Sequence, residues 1–167
     1  MRHIHSPRSY PESHYDQYLC LKPPLMWWAA VLYLSRAITL PIAAGIGAFA
    51  GVDSSALAVV RRLWSADTLA PSVIAAAVVA ALLLRAPKAP SLVRGIWARG
   101  RAILAFSAGL DLALALAAPI RHRQIDDDSL VSLALGLVDL YFLLYVLFAR
   151  RVRDTFAEFP PQQPAGT

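Results

Sequence analysis

ILAFSAGLDLALALAAPI, Ile103 to Ile120, carries a single charged side chain, Asp111, in a run that is otherwise aliphatic, aromatic or small. A bilayer core of about 30 Å takes about 20 apolar residues as a helix. Backbone N–H and C=O groups find no water in hydrocarbon, so they must bond within the segment, which selects the helix. The run does not alternate as a barrel strand would. It therefore reads as a membrane-spanning helix with a carboxylate at its middle.

The rest of the chain repeats the pattern. Apolar runs cover Leu25–Ala50, Leu69–Leu84, Ala102–Ile120 and Ser129–Ala149, the second being short. The expected fold is an all-α integral membrane protein, a four-transmembrane-helix bundle. A polar arm precedes it over residues 1–24, and a basic juxtamembrane helix with a disordered tail follows over residues 150–167. Composition agrees: 57% of the residues are hydrophobic, 16% are charged, and mean hydropathy is +0.51. A soluble domain is about 25% charged. The formal charge of +5 does not by itself indicate nucleic acid. No basic stripe interleaved with aromatics and no recognition module accompanies it, so no nucleic-acid partner is expected.

Lysine and arginine set the expected topology. The arm, the loop from Arg85 to Arg101 and the tail together hold eleven, and the two opposite loops hold four. By the positive-inside rule both termini face the cytoplasm, in a bacterial inner membrane. The first apolar run lies behind a long polar arm and lacks a small-residue cleavage site, so it reads as a retained anchor. Trp27 and Trp28 suit an interfacial aromatic belt. Pro41 is expected either to kink the first span or to leave one helix carbonyl for neighbouring helices to satisfy. Asp126, Asp127, Asp128 and Ser129 suit the N-terminus of the fourth.

Three ionisable residues fall inside spans: Arg36, Asp111 and Asp139. Counted from the expected cytoplasmic ends at about 1.5 Å per residue, they lie about 14–16 Å deep, at one level. Small and weakly polar residues share their helix faces. Tyr33, Ala43 and Gly47 accompany Arg36; Ser107, Ala108, Ala115 and Ala118 accompany Asp111; Ser132 and Gly136 accompany Asp139. Such faces mark helix contacts in membranes. An isolated charge at that depth costs roughly 2.5–3.5 kcal/mol on insertion scales. Arg36 is therefore expected to pair with Asp111, Asp139 or both. One carboxylate is then in surplus, and a proton is one way to neutralise it. The cluster reads as an assembly clamp, with a proton or ion path as the alternative.

Other features carry less. Gly47 and Gly51 make a GxxxG pattern that permits close helix approach. Asp53 to Trp64 in the first external loop reads as a short interfacial helix or a plain loop. The loop expected on the cytoplasmic side is read as bringing Arg85, Lys88, Arg94, Arg99 and Arg101 to anionic headgroups while Leu92, Val93, Ile96 and Trp97 dip into the interface as a second short helix, with an acidic protein partner as the alternative. The segment after Ala149 is expected to lie on the membrane with Val152, Phe156 and Phe159 on one side. His122 beside three aspartates resembles a cation site only weakly, because Arg121 and Arg123 flank it. Cys20, the single cysteine, has no internal partner and reads as a small juxtamembrane residue.

Two stretches carry a resemblance. YDQYLCLKPPLMWW, Tyr15 to Trp28, with Arg36 following, and LVDLYFLLYVLFARRVRDTF, ending at Phe156 with Asp139 mid-span, are similar to the YfeZ-type family of small proteobacterial inner-membrane proteins of unknown function. The resemblance implies several spans in an inner membrane and supplies no activity. No nucleophile–base pair, phosphate-cradling loop, metal set or haem or quinone signature is present, so no catalysis and no cofactor are expected. A non-enzymatic packing or accessory subunit is expected, touching anionic phospholipid and a homo-oligomeric or larger membrane complex. A small oligomeric proton-linked transporter is the alternative.

Overall fold

The computed structural model describes residues 10–49, 66–122 and 127–161. Among these residues the chain forms seven α-helices and no strand: α1 (Leu25–Leu34), α2 (Arg36–Phe49), α3 (Leu69–Leu83), α4 (Ser91–Ala98), α5 (Gly100–His122), α6 (Asp127–Phe148) and α7 (Arg150–Ala157). The segment Asp53–Trp64, expected as an external loop, Gly51 and residues 123–126 lie outside the described residues.

α5 and α6 are long and apolar enough to cross a membrane, and α1 with α2 makes a third candidate if the bent pair counts as one span. α3 is apolar but has 15 residues, about 22 Å of helix, shorter than a typical bilayer core. α5 and α6 lie against each other. A Cβ added at Gly136 of α6 would stand 3.2 Å from the Ala115 Cβ of α5. Small residues at that level let the two backbones approach.

The first apolar run is not one straight helix. α1 and α2 meet at an angle of 85°. The bend falls at Ser35, not at Pro41, through which α2 stays helical. Ser35 Oγ donates to the Val31 carbonyl at 2.7 Å, the local side-chain bond that competes with helix continuation. The Ser35 carbonyl then accepts from Ile38 and Thr39 N–H at 2.9 and 3.0 Å, starting the new helix. Ser72 of α3 holds the joint. Its Oγ donates to the Leu34 carbonyl at 2.9 Å and accepts from the Ala37 N–H at 3.2 Å. Broken helices are tolerated at membrane depth where neighbours satisfy the freed backbone groups. With this bend, Tyr33, Arg36, Ala43 and Gly47 do not form the single stripe expected of a straight span.

One end of the bundle is closed by three segments distant in sequence. Arg85 Nη2 bonds Asp16 Oδ2 at 3.0 Å. Leu21 N–H donates to Glu158 Oε2 at 2.5 Å, and Trp97 Nε1 donates to the Glu158 carbonyl at 2.9 Å. Tyr10 OH donates to Asp154 Oδ2 at 2.9 Å. Phe156 of α7 stacks at 4.7 Å on Trp97 of α4, and its ring occupies the space where a Gly100 Cβ would stand. The arm, the loop before α5 and the tail are thus one packed cap.

This cap revises several expectations. Trp27 is fully buried against Phe156 and is not part of an interfacial belt. Val93 and Trp97 of α4 and Val152 and Phe156 of α7 join the core, so neither helix rests that face on a lipid surface. α7 is separate from α6, divided at the extended Ala149. Aromatic residues have more area to lose in the protein core than at an interface, and two amphipathic helices facing each other supply it.

Candidate functional site

The break at Ser35 directs Arg36 inward. α1 rises about 15 Å from its start, half a bilayer core, and Arg36 opens α2 at that point. On α5, Asp111 lies eleven residues past Gly100, about 16 Å along the helix; on α6, Asp139 lies nine residues before Phe148, about 14 Å from its end. The structure brings the three side chains together. Arg36 Nη1 donates to Asp111 Oδ2 at 2.5 Å and stands 3.8 Å from Asp139 Oδ1. Their side chains are 8%, 1% and 0% exposed, so solvent does not screen them.

The pair with Asp111 is a hydrogen-bonded ion pair. The contact with Asp139 is within ion-pair range but beyond hydrogen-bond reach. Asp139 has no hydrogen bond to either carboxyl oxygen, and Asp111 Oδ1 and Arg36 Nε are also without one. Tyr33 covers the guanidinium, its ring centroid 4.4 Å from Arg36 Cζ, and anchors itself by donating its hydroxyl to the Leu135 carbonyl at 2.8 Å. A guanidinium spreads its charge over a plane that an aromatic face can cover. Ser107, one turn before Asp111, donates to the Pro71 carbonyl at 2.8 Å and ties α5 to α3. Four helices and the α1 joint therefore converge on one buried polar layer with a cation and two carboxyl groups.

Ser72 completes this layer without being singled out by the sequence, and Tyr33, expected on the Arg36 face, adds a bond to the Leu135 carbonyl that the sequence does not display. A lone serine in an alanine-rich helix and a tyrosine in an apolar run each have many bland uses. Their roles follow from the bend, which no residue pattern displays.

The basic loop divides. Arg85 is buried, paired with Asp16 and placed over the Trp97 ring at 4.9 Å. Arg94 donates to the Pro87 carbonyl at 2.6 Å and the Pro160 carbonyl at 3.3 Å and stacks on Phe159. These two serve the cap, not a lipid surface. Lys88 and Arg99 are exposed and Arg101 is half-buried. Gly47 is half-buried on α2, and its expected partner Gly51 is outside the described residues. Cys20 is buried behind the Asp16 turn, and burial pushes its thiol up against the opposing pull of Arg85. It is shielded and poorly ionised, the profile of a structural cysteine.

No curated protein and no solved structure matches the chain. One family does match, over residues 10–158, a region that includes the arm, the Arg36 layer and the cap together. The chain belongs to the family described as protein of unknown function (DUF2919).

Proposed function

We propose that this chain is a non-enzymatic integral membrane protein with four crossings, working as a packing or accessory subunit of a membrane assembly. The observation that carries it is the Arg36–Asp111 bond of 2.5 Å, buried among apolar helices with Asp139 beside it. An ion pair in that setting fixes which helix faces meet, because every other arrangement leaves a charge in hydrocarbon.

The crossing number is supported by the cap. The arm, the Arg85–Arg99 segment and the tail touch one another. Each apolar half, 25–84 and 100–149, therefore leaves one end and returns to it. Two out-and-back excursions are the path that four crossings with both termini on one side require, and this supports the reading. The lysines and arginines gathered at that side favour the cytoplasmic face of a bacterial inner membrane. The exposed apolar residues Leu137, Tyr141, Leu144 and Phe148 on α6 offer a face for lipid or a neighbouring subunit.

A proton-linked transporter is the second proposal, and one observation favours it. Asp139 is a buried carboxyl with no hydrogen bond, beside a broken helix, and discontinuous helices at midplane recur at transporter ion sites. Replacement series separate the two. Arg36→Leu strands two carboxylates and is expected to abolish membrane accumulation. Arg36→Leu with Asp111→Leu and Asp139→Leu removes every charge and is expected to restore accumulation and complementation. A triple variant that accumulates but loses a pH-driven flux in vesicles would replace the clamp with transport.

A further inference from the structure

α4 buries Val93 and Trp97 in the cap. Its opposite side and the first turn of α5 line an open groove of about 390 Å³, formed by Ser91, Leu92, Gly95, Ile96, Arg99 and Ile103. Two unlike chemistries meet there. Leu92 is 71% exposed and Ile96 and Ile103 add further hydrocarbon, while Arg99 brings a guanidinium. Among the described residues, no ion pair or side-chain hydrogen bond holds the Arg99 guanidinium or draws Lys88 away, unlike Arg85 and Arg94. From Arg85 to Leu110 the sequence contains five cations and no carboxylate. Arg99 thus gives the groove a cationic edge that no described residue neutralises.

Its position supplies the rest. The apolar window of α5 opens at Gly100, directly after Arg99. Below Ile103 on the same side of α5 stands Phe106, 63% exposed. An apolar stripe therefore descends from the charged rim along a helix that, by the function proposed above, crosses the bilayer. A molecule complementary to this surface has an anionic head at the interface and a hydrocarbon tail beneath it.

We propose that the groove seats one anionic phospholipid, its phosphate on the Arg99 guanidinium and one acyl chain along Ile103 and Phe106. A guanidinium offers a phosphate two parallel N–H donors. The tail gains no hydrophobic free energy over bulk lipid, since lipid tails are as apolar as leucine. Selectivity therefore resides in the head, and the tail sets position. Gly95 forms the floor: a Cβ built there meets nothing within 4 Å, so a larger side chain at 95 enters the groove and not the core.

The test uses the full chain in native membranes and then in mild detergent. Carbonate washing comes first. Wild-type protein washed from the membrane overturns the membrane placement itself. Retained protein is taken to native mass spectrometry with phosphatidylglycerol, phosphatidylcholine and glycerol 3-phosphate. The expected result is a one-to-one adduct with phosphatidylglycerol, weaker with phosphatidylcholine and absent with glycerol 3-phosphate. Arg99→Gln should weaken it roughly fivefold, the effect of one interfacial cation. Gly95→Leu should remove it with charge unchanged, and Arg153→Gln, which takes an exposed cation from α7, should leave it intact. Wild-type binding by Gly95→Leu, equal binding of phosphatidylcholine, or equal loss in Arg153→Gln would overturn the groove. Tight binding of glycerol 3-phosphate would overturn the lipid as its occupant.

Discussion

Ser72→Ala tests whether a single hydroxyl on α3 holds the bent first span. The side chain is fully buried and serves two backbone groups at the joint, the Leu34 carbonyl and the Ala37 N–H. Alanine withdraws both bonds at a place water does not reach. A buried polar group deprived of its partner costs about 1–3 kcal/mol, counted here for the Leu34 carbonyl alone, less a few tenths for the better helix propensity of alanine. Ser107→Ala sets the scale. It removes one bond, to a Pro71 carbonyl within a continuous helix, and should cost about 0.6 kcal/mol, the average for side-chain bonds in a bilayer protein. Unfolding of the detergent-solubilised protein by SDS, followed by tryptophan fluorescence, measures both. Ser72→Ala should also loosen Arg36 from Asp111, because the joint aims the arginine. Equal costs for the two variants would refute the stapled bend and place the stability of the break elsewhere.

Two further outcomes follow from the cap and the helix seam. Asp16→Ala leaves Arg85 buried without its carboxylate and opens the turn over Cys20, whose N–H Asp16 also holds. Breaking a buried pair costs up to about 3–5 kcal/mol, less here because Asp16 is partly exposed. The thiol, pushed up by burial, should be nearly inert to iodoacetamide at pH 8 in the wild type and should label readily in the variant. Unchanged labelling would separate the arm from the cap. Gly136→Leu drives a side chain into Ala115 and Leu112 and should cost about 1–3 kcal/mol by overpacking. The same change at Gly109, where an added Cβ meets nothing within 4 Å, should cost less than that at Gly136 in the same assay.

The helices over the apolar blocks were legible because a long apolar run without strand alternation selects the helix, a constraint that acts on local sequence. The common level of Arg36, Asp111 and Asp139 was legible for the same reason, since rise per residue converts position along a helix into height. Within that layer, the partner Arg36 bonds directly was left open between Asp111 and Asp139, because helix rotation at the ångström level depends on packing. A kink at Pro41 was one of two expected outcomes, because a missing N–H is visible in the residue type. The break falls at Ser35, where the serine hydroxyl reaches the Leu32 carbonyl as well as that of Val31, and a serine on another helix bonds the Leu34 carbonyl and the Ala37 N–H.

The cap lies furthest from what residue patterns reveal. Val93, Trp97, Val152 and Phe156 have the spacing of amphipathic helices, and amphipathicity states only that one face leaves water. Whether that face meets lipid or protein depends on segments more than fifty residues apart arriving at the same end. By itself, then, the chain determined that it is helical and apolar, and which charges share one level, through constraints each segment obeys alone. Only the tertiary structure decided where the first span turns, which carboxylate the arginine grips and which apolar faces are covered, because each of those outcomes requires two distant segments in contact.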